Sequence, residues 1–252
     1  MNSVINDWKD KEKYIIVLLG KGGSGKDTVM NMIAKEYKNV QTVVSHTTRP
    51  MRKGEIEGKS YYFISDEKFC EMNKNKSFVE TRHYNVITDG QNNQTQYPKI
   101  IKNVCSVLQR IKKKFFGSMQ GDSVWFYGLA QEELENKLNK GHVIVVLDLQ
   151  GYKELRKYYY DHEDLFKKTR LVSFYIDIDE EIRFKRYIQR DEITLANVKE
   201  GLRRMEADDR DFQGVEECVH QHIKFKDDAN MDTSSEQIKN YIVKLLELKK
   251  EM

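Results

Sequence analysis

One short segment constrains this chain more than any other. Gly20-Lys21-Gly22-Gly23-Ser24-Gly25-Lys26 follows the apolar run of residues 14–19, YIIVLL, without a break. The run reads as a strand buried on both faces, and residues 28–37 read as a helix. A G-x-x-x-x-G-K loop between a strand and a helix lets backbone N–H groups curl around phosphate oxygens, and the helix N-terminus adds positive potential there. Lys26 is placed to reach the outer phosphates of a nucleotide. This spacing usually has a Ser or Thr after the lysine, whose hydroxyl binds Mg²⁺. Here that position is Asp27 and the next is Thr28, so these two are the candidates for the metal.

Further apolar runs at residues 40–45, 143–147 and 171–176 alternate with helical patterns. Such alternation predicts an α/β fold, a parallel sheet flanked by helices. The stretch 234–249 reads as a last amphipathic helix with Ile238, Ile242, Leu245 and Leu246 on one face. Between residues 85 and 123 the pattern breaks. A polar turn-like segment there precedes a helical stretch, 100–116, that ends in the basic cluster 110–114. This region reads as an insertion.

The 252 residues suffice for a full core. A formal net charge of +3, with a third of the residues charged, describes a mixed-sign surface and not a nucleic-acid binder. Cys70, Cys105 and Cys218 are far apart and odd in number, which argues against a disulfide framework and for a reducing compartment. The polar first thirteen residues lack a signal-peptide core, and no run approaches the roughly 18 apolar residues of a spanning helix. The expectation is a soluble cytoplasmic protein without a membrane partner.

A second anion site follows the first. Arg49 and Arg52 stand three apart in Ser45-His46-Thr47-Thr48-Arg49-Pro50-Met51-Arg52, ahead of Gly54, Glu55, Gly58 and the pair Tyr61-Tyr62. Two guanidinium forks can clamp one phosphate, and a tyrosine hydroxyl can add a donor. Two phosphate sites suit transfer of a phosphoryl group from a donor to an acceptor. The ordered string SHTTRPMRKGEIEGKSYYF, with the glycine loop, closely resembles the acceptor-binding segment of guanylate kinases. The resemblance covers most of the chain outside residues 85–123.

That resemblance implies a P-loop NTPase-type core with an NMP-binding subdomain and a lid, and the Mg²⁺-dependent reaction ATP + GMP to ADP + GDP. It divides the chain into a core of residues 13–44, 130–185 and 206–252, an NMP-binding subdomain at 45–129 that includes the insertion, and a lid at 186–205. Gly20, Gly22, Gly23, Ser24, Gly25, Lys26, Asp27 and Thr28 would hold ATP. Arg49, Arg52 and Tyr61 would hold the acceptor phosphate, and Ser45 would contact guanine. Phe78-Val79-Glu80 resembles the family's F-I-E element, so Glu80 would accept from the guanine N1–H and amine, both donors.

Trp125-Phe126-Tyr127-Gly128 resembles Y-Y-G, with Tyr127 on the acceptor phosphate, although Leu129 stands where the family has Ser or Thr. Asp148-Leu149-Gln150-Gly151 resembles D-x-Q-G. Asp148 would face the base or serve the outer shell of the metal; the family's second Asp is Val146 here. In the lid, Arg190 and Arg204 match the family's two arginines best, with Arg186 and Arg203 as competitors. Asp208, Asp209 and Asp211 read as a capped turn after the lid, pairing with nearby arginines. Two alternatives remain open: the same chemistry on dGMP, another monophosphate or a phosphorylated sugar, and a catalytically silent scaffold that binds proteins.

Overall fold

The strand before the glycine loop is buried at every position from Ile15 to Leu19, as an interior parallel strand must be. The computed structural model describes residues 12–52, 54–87, 122–190, 195–225 and 231–248. Residues 88–121, which include the helix expected at 100–116 and the basic cluster, lie outside them. Two compact units emerge, one made of Met1–Val43 with Leu134–Met252 and the other of Val44–Glu133.

In the first unit β1 (Lys13–Leu19) is the middle strand of five. Its companions are β2 (Val40–Thr42), β7 (His142–Val146), β8 (Thr169–Ile178) and β9 (Gln221–Phe225). The order is β2-β7-β1-β8-β9 and every pairing is parallel. Ile16 and Leu18 pack with Val29 and Ile33 of α1 (Lys26–Glu36) and with Ile238, Ile242 and Leu246, contributed by and just beyond α8 (Met231–Leu245). Each such side chain contributes about 1.5–3 kcal/mol by leaving water. Tyr152 and Leu155 of α4 (Leu149–Asp161) are also fully buried. α5 (Glu180–Arg190) and α6 (Leu195–Asp211) follow β8, and the short α7 (Val215–Cys218) leads to β9.

The second unit is a four-stranded sheet in the order β4-β3-β6-β5, with β3 at His46–Thr47, β4 at Tyr62–Phe63, β5 at Phe78–Ile87 and β6 at Asp122–Ala130. Ser65 caps α2 (Asp66–Lys74) by accepting from the Lys68 N–H at 3.2 Å, and α2 buries Phe69 and Cys70. α3 (Gln131–Lys140) begins where β6 ends and buries Leu134 and Leu138.

Two local expectations change. The run 40–45 is not one strand. Its last bond to the first sheet is the Val43 N–H to the Ile144 carbonyl at 3.0 Å, and from His46 the chain pairs with β4 and β6 instead. The acidic residues 208–211 are not a turn, because α6 continues to Asp211.

Candidate functional site

The glycine loop ends β1 and starts α1 as its spacing requires. Gly25 is the N-cap of α1 with φ 83°, and no side chain caps the helix, so the first N–H groups of α1 stay available to an anion. Gly23 has φ 78°, and a Cβ there would come within 3.0 Å of the Arg183 carbonyl oxygen. Glycine is therefore required at this position for both backbone angle and space. Ser24 is buried, and its hydroxyl makes no hydrogen bond among the described residues. Lys26 opens α1, and its Nζ lies 3.4 Å from the Lys21 carbonyl oxygen. Asp27 is exposed on the first turn and Thr28 is half-buried beside it.

Cations and carboxylates surround this loop. Arg186 donates to the Gly23 carbonyl at 3.1 Å and to the Ser234 hydroxyl at 2.9 Å; burial pushes its pKa down. Arg183 is buried, with Nη1 3.5 Å from the Gly22 carbonyl oxygen. Asp208 Oδ2 accepts from the Gly22 N–H at 2.5 Å, and Asp209 pairs with Lys21 at 2.6 Å. Arg183 approaches both carboxylates, at 3.8 and 4.0 Å. Asp148 is the N-cap of α4, accepting from the Gly151 N–H at 2.7 Å. Its charge and that of Asp208 add to burial in raising the pKa of Asp211. Of the lid arginines, Arg203 lies in α6, while the side chains of Arg190 and Arg204 fall outside the described residues.

The second unit brings four of its predicted residues, Arg49, Tyr61, Tyr127 and Glu80, into one run of contacts through Arg82. A β-bulge between Phe78 and Glu80 resets the register, so that Glu80 lies opposite Leu129 and Arg82 opposite Tyr127. Opposed residues of an antiparallel pair share a face. Glu80 is 2% exposed, and its Oε2 lies 3.0 Å from Arg82 Nε. The Arg82 guanidinium stands over the Tyr127 ring at 5.9 Å, and Tyr127 meets Tyr61 edge-on at 5.7 Å. Arg49 covers Tyr61 at 5.2 Å. The other face is aromatic packing: Phe78 stacks on Phe69 of α2, and His46 meets Phe78 edge-on.

Arg49 is 3% exposed and bidentate to Glu55, at 2.9 and 2.7 Å, with a further bond to the Pro50 carbonyl at 2.7 Å. Burial works against its charge, but its hydrogen bonds and charge interactions with Glu55 and Tyr127 outweigh it and raise its pKa. Glu55 also accepts from the Arg52 N–H at 2.7 Å. Its pKa falls below the usual carboxylate value, chiefly through the Arg49 hydrogen bond. Ser45 is buried, and its carbonyl accepts from the Tyr62 N–H at 3.0 Å.

Sequence reading expected Asp208 to pair with nearby arginines, as it does with Arg183 at 3.8 Å, but missed its bond to Gly22 and missed Glu55, Arg82 and Arg183. For Arg82 a signal existed, since two residues on from Glu80 a strand returns to the same face. For Asp208 there was none, because its partner lies 186 positions away.

A glycine loop at the end of the middle strand of a parallel sheet, continuing into an uncapped helix, defines a P-loop α/β protein. A family model described as guanylate kinase matches residues 12–102. A guanylate kinase of Prochlorococcus marinus (strain MIT 9312) is 34% identical over 138 residues, 52% of this chain and 73% of that protein. The chain belongs to the guanylate kinase family. A guanylate kinase of Wolinella succinogenes is 31% identical over 146 residues, 58% of this chain and 50% of the relative. The match thus spans only about half of that relative's length. The crystal structure of a guanylate kinase from Anaplasma phagocytophilum shares the fold, with a TM-score of 0.51 at 21% identity over 95% of this chain and 88% of that one. Among the described residues, no helix is long and apolar enough to cross a membrane.

Proposed function

We propose that this protein transfers the terminal phosphoryl group of ATP to GMP or dGMP, giving ADP and GDP or dGDP. The observation that carries the reading is the run of contacts in which Arg49, Tyr61, Tyr127, Arg82 and Glu80 follow one another. It offers cationic and hydroxyl donors at one end and a carboxylate at the other, which suits a nucleoside monophosphate. Glu55 and Pro50 take three of the five Arg49 donors and so fix the plane of the fork. Arg49, with Arg52, Tyr61 and Tyr127, holds the acceptor phosphate. Glu80 accepts from guanine N1–H and the exocyclic amine, an edge that adenine lacks. Ser45 contacts the base.

An oxygen of the acceptor phosphate attacks the γ-phosphorus of ATP; the new P–O bond forms as the bond to the β-phosphate oxygen breaks, and ADP leaves. Loop N–H groups from Gly20 to Gly25 and the Lys26 ammonium hold the donor phosphates and stabilise charge as it spreads over the moving group. Asp27 and Thr28 offer the carboxylate and hydroxyl oxygens that suit Mg²⁺. Bound with ATP, that ion supplies further positive charge. Arg190 and Arg204, or Arg186 and Arg203, serve the donor and the transferred group, and Asp148 serves the base or the outer shell of the metal. Catalysis needs no covalent intermediate, and the protein works in the cytoplasm.

The test is ADP production from MgATP with GMP, dGMP, AMP, IMP, UMP and CMP as separate acceptors. Turnover confined to GMP and dGMP, and lost in Arg49→Ala, is expected. Turnover on a different monophosphate would overturn the base assignment, and absence of ATP binding would favour the protein-binding scaffold.

A further inference from the structure

A loop that can receive phosphate already holds an anion of its own. The Asp208 carboxylate takes the Gly22 N–H at 2.5 Å, near the end of a 17-residue helix whose Asp209 also pairs with Lys21. A Cβ on Gly22 would come within 3.0 Å of the same Asp208 oxygen, so helix and loop are in close contact at this point. Beside them lies Arg183, whose side chain is 4% exposed and whose Nε has no hydrogen-bond partner among the described residues. Its Nη1 touches the Gly22 carbonyl, and Asp208 lies 3.8 Å away. Lys21, Lys26 and Arg183 all act on the Asp208 charge, yet burial dominates and raises its pKa.

A phosphate chain and a carboxylate cannot both use the Gly22 N–H, and as like charges they repel at this distance. We propose that Asp208 is an affinity-determining residue of the donor site, an internal stand-in for phosphate that nucleotide must displace from Gly22. This rests on the reading of residues 20–26 as the ATP site. Displacement unpairs Asp208 from Gly22 and frees the end of α6, the helix that carries Arg203 and Arg204. Arg183, buried against the Gly22 carbonyl, stays beside the loop as the cation that either anion meets. Binding is then weakened by the fraction of molecules in which Asp208 holds the loop.

The experiment is calorimetric titration of ATP, with and without Mg²⁺, into the full-length wild type and the Asp208→Asn, Asp208→Ala and Lys26→Ala variants. GMP is titrated in parallel, and thermal melts check folding. The proposal expects Asp208→Asn and Asp208→Ala to bind ATP about tenfold more tightly than wild type, with GMP affinity unchanged and Lys26→Ala weaker. ATP binding by Asp208→Ala but not by wild type would support it in its strongest form. Unchanged or weaker ATP binding in both Asp208 variants, beside a wild type that binds, would overturn the proposal alone. That includes a loss confined to the Mg²⁺ titration, which would make Asp208 a metal-side group. No ATP binding by any of the proteins would overturn the donor-site reading and the proposal with it.

Discussion

Glu55 and Asp208 each lie against a segment proposed to receive phosphate, yet their environments act in opposite directions. Glu55 lies against the Arg49 guanidinium, and that hydrogen bond holds its pKa below the ordinary value. Asp208 lies against a backbone N–H, and loss of water pushes its pKa up in spite of three nearby cations. The first carboxylate belongs to the structure, because its ionised form is preferred in the fold. The second is held at a cost, which suits a group that gives way to a ligand.

The pH dependences therefore have opposite signs. Glu55 stabilises the fold above its unfolded pKa, and this is lost as pH falls through its lowered folded value. For Asp208 the cost is fully present above its raised folded pKa and is relieved as pH falls toward the ordinary carboxylate value.

The largest expected effects fall on the two loops themselves. Lys26→Ala should lower kcat/KM by about 10²–10³-fold through the ATP term, and Arg49→Ala by a similar factor through the GMP term. Titrating ATP and GMP separately into each variant separates the two, since a lost transition-state contact lowers kcat/KM for both substrates alike. Equal losses of affinity for both nucleotides from either variant would break the division into a donor and an acceptor site. Next, Glu80→Gln should lower kcat/KM for GMP by about 10–100-fold and reduce the preference for GMP over AMP.

Smaller effects sharpen the contrast between the carboxylates. Glu55→Gln should destabilise the protein by about 1–3 kcal/mol at neutral pH, read as a lower urea midpoint, because Arg49 is left buried without its counter-charge. Asp208→Asn should leave stability unchanged or raise it by under about 1 kcal/mol in the same assay. A larger loss from Asp208→Asn than from Glu55→Gln would reverse the assignment of which group is structural.

Much of the donor loop could be read in the chain because its chemistry is local. Close approach of a backbone to phosphate demands glycine, and Gly23 and Gly25 both take positive φ. Arg49, Arg52 and Tyr61 could be proposed for the same reason, as all lie in one short segment. The limits of β2 and β3 were not, since an unbroken apolar run carries no mark of the point where the chain leaves one sheet for another. Glu80 could be proposed only through the element around it, and the bulge that turns it to the face of Arg82 depends on pairing with β6. Asp208 reads from sequence as part of a capped turn after the lid, pairing with nearby arginines, because nothing local marks a bond to the glycine loop. Only the fold brings it to Gly22.

The central claim is that phosphate moves from one nucleotide to another. ATP labelled in its γ-phosphate should be incubated with GMP and Mg²⁺, and the products separated. The account expects the label in GDP, dependent on Lys26 and Arg49. Label recovered only in inorganic phosphate, or retained in ATP under saturating GMP, would contradict it.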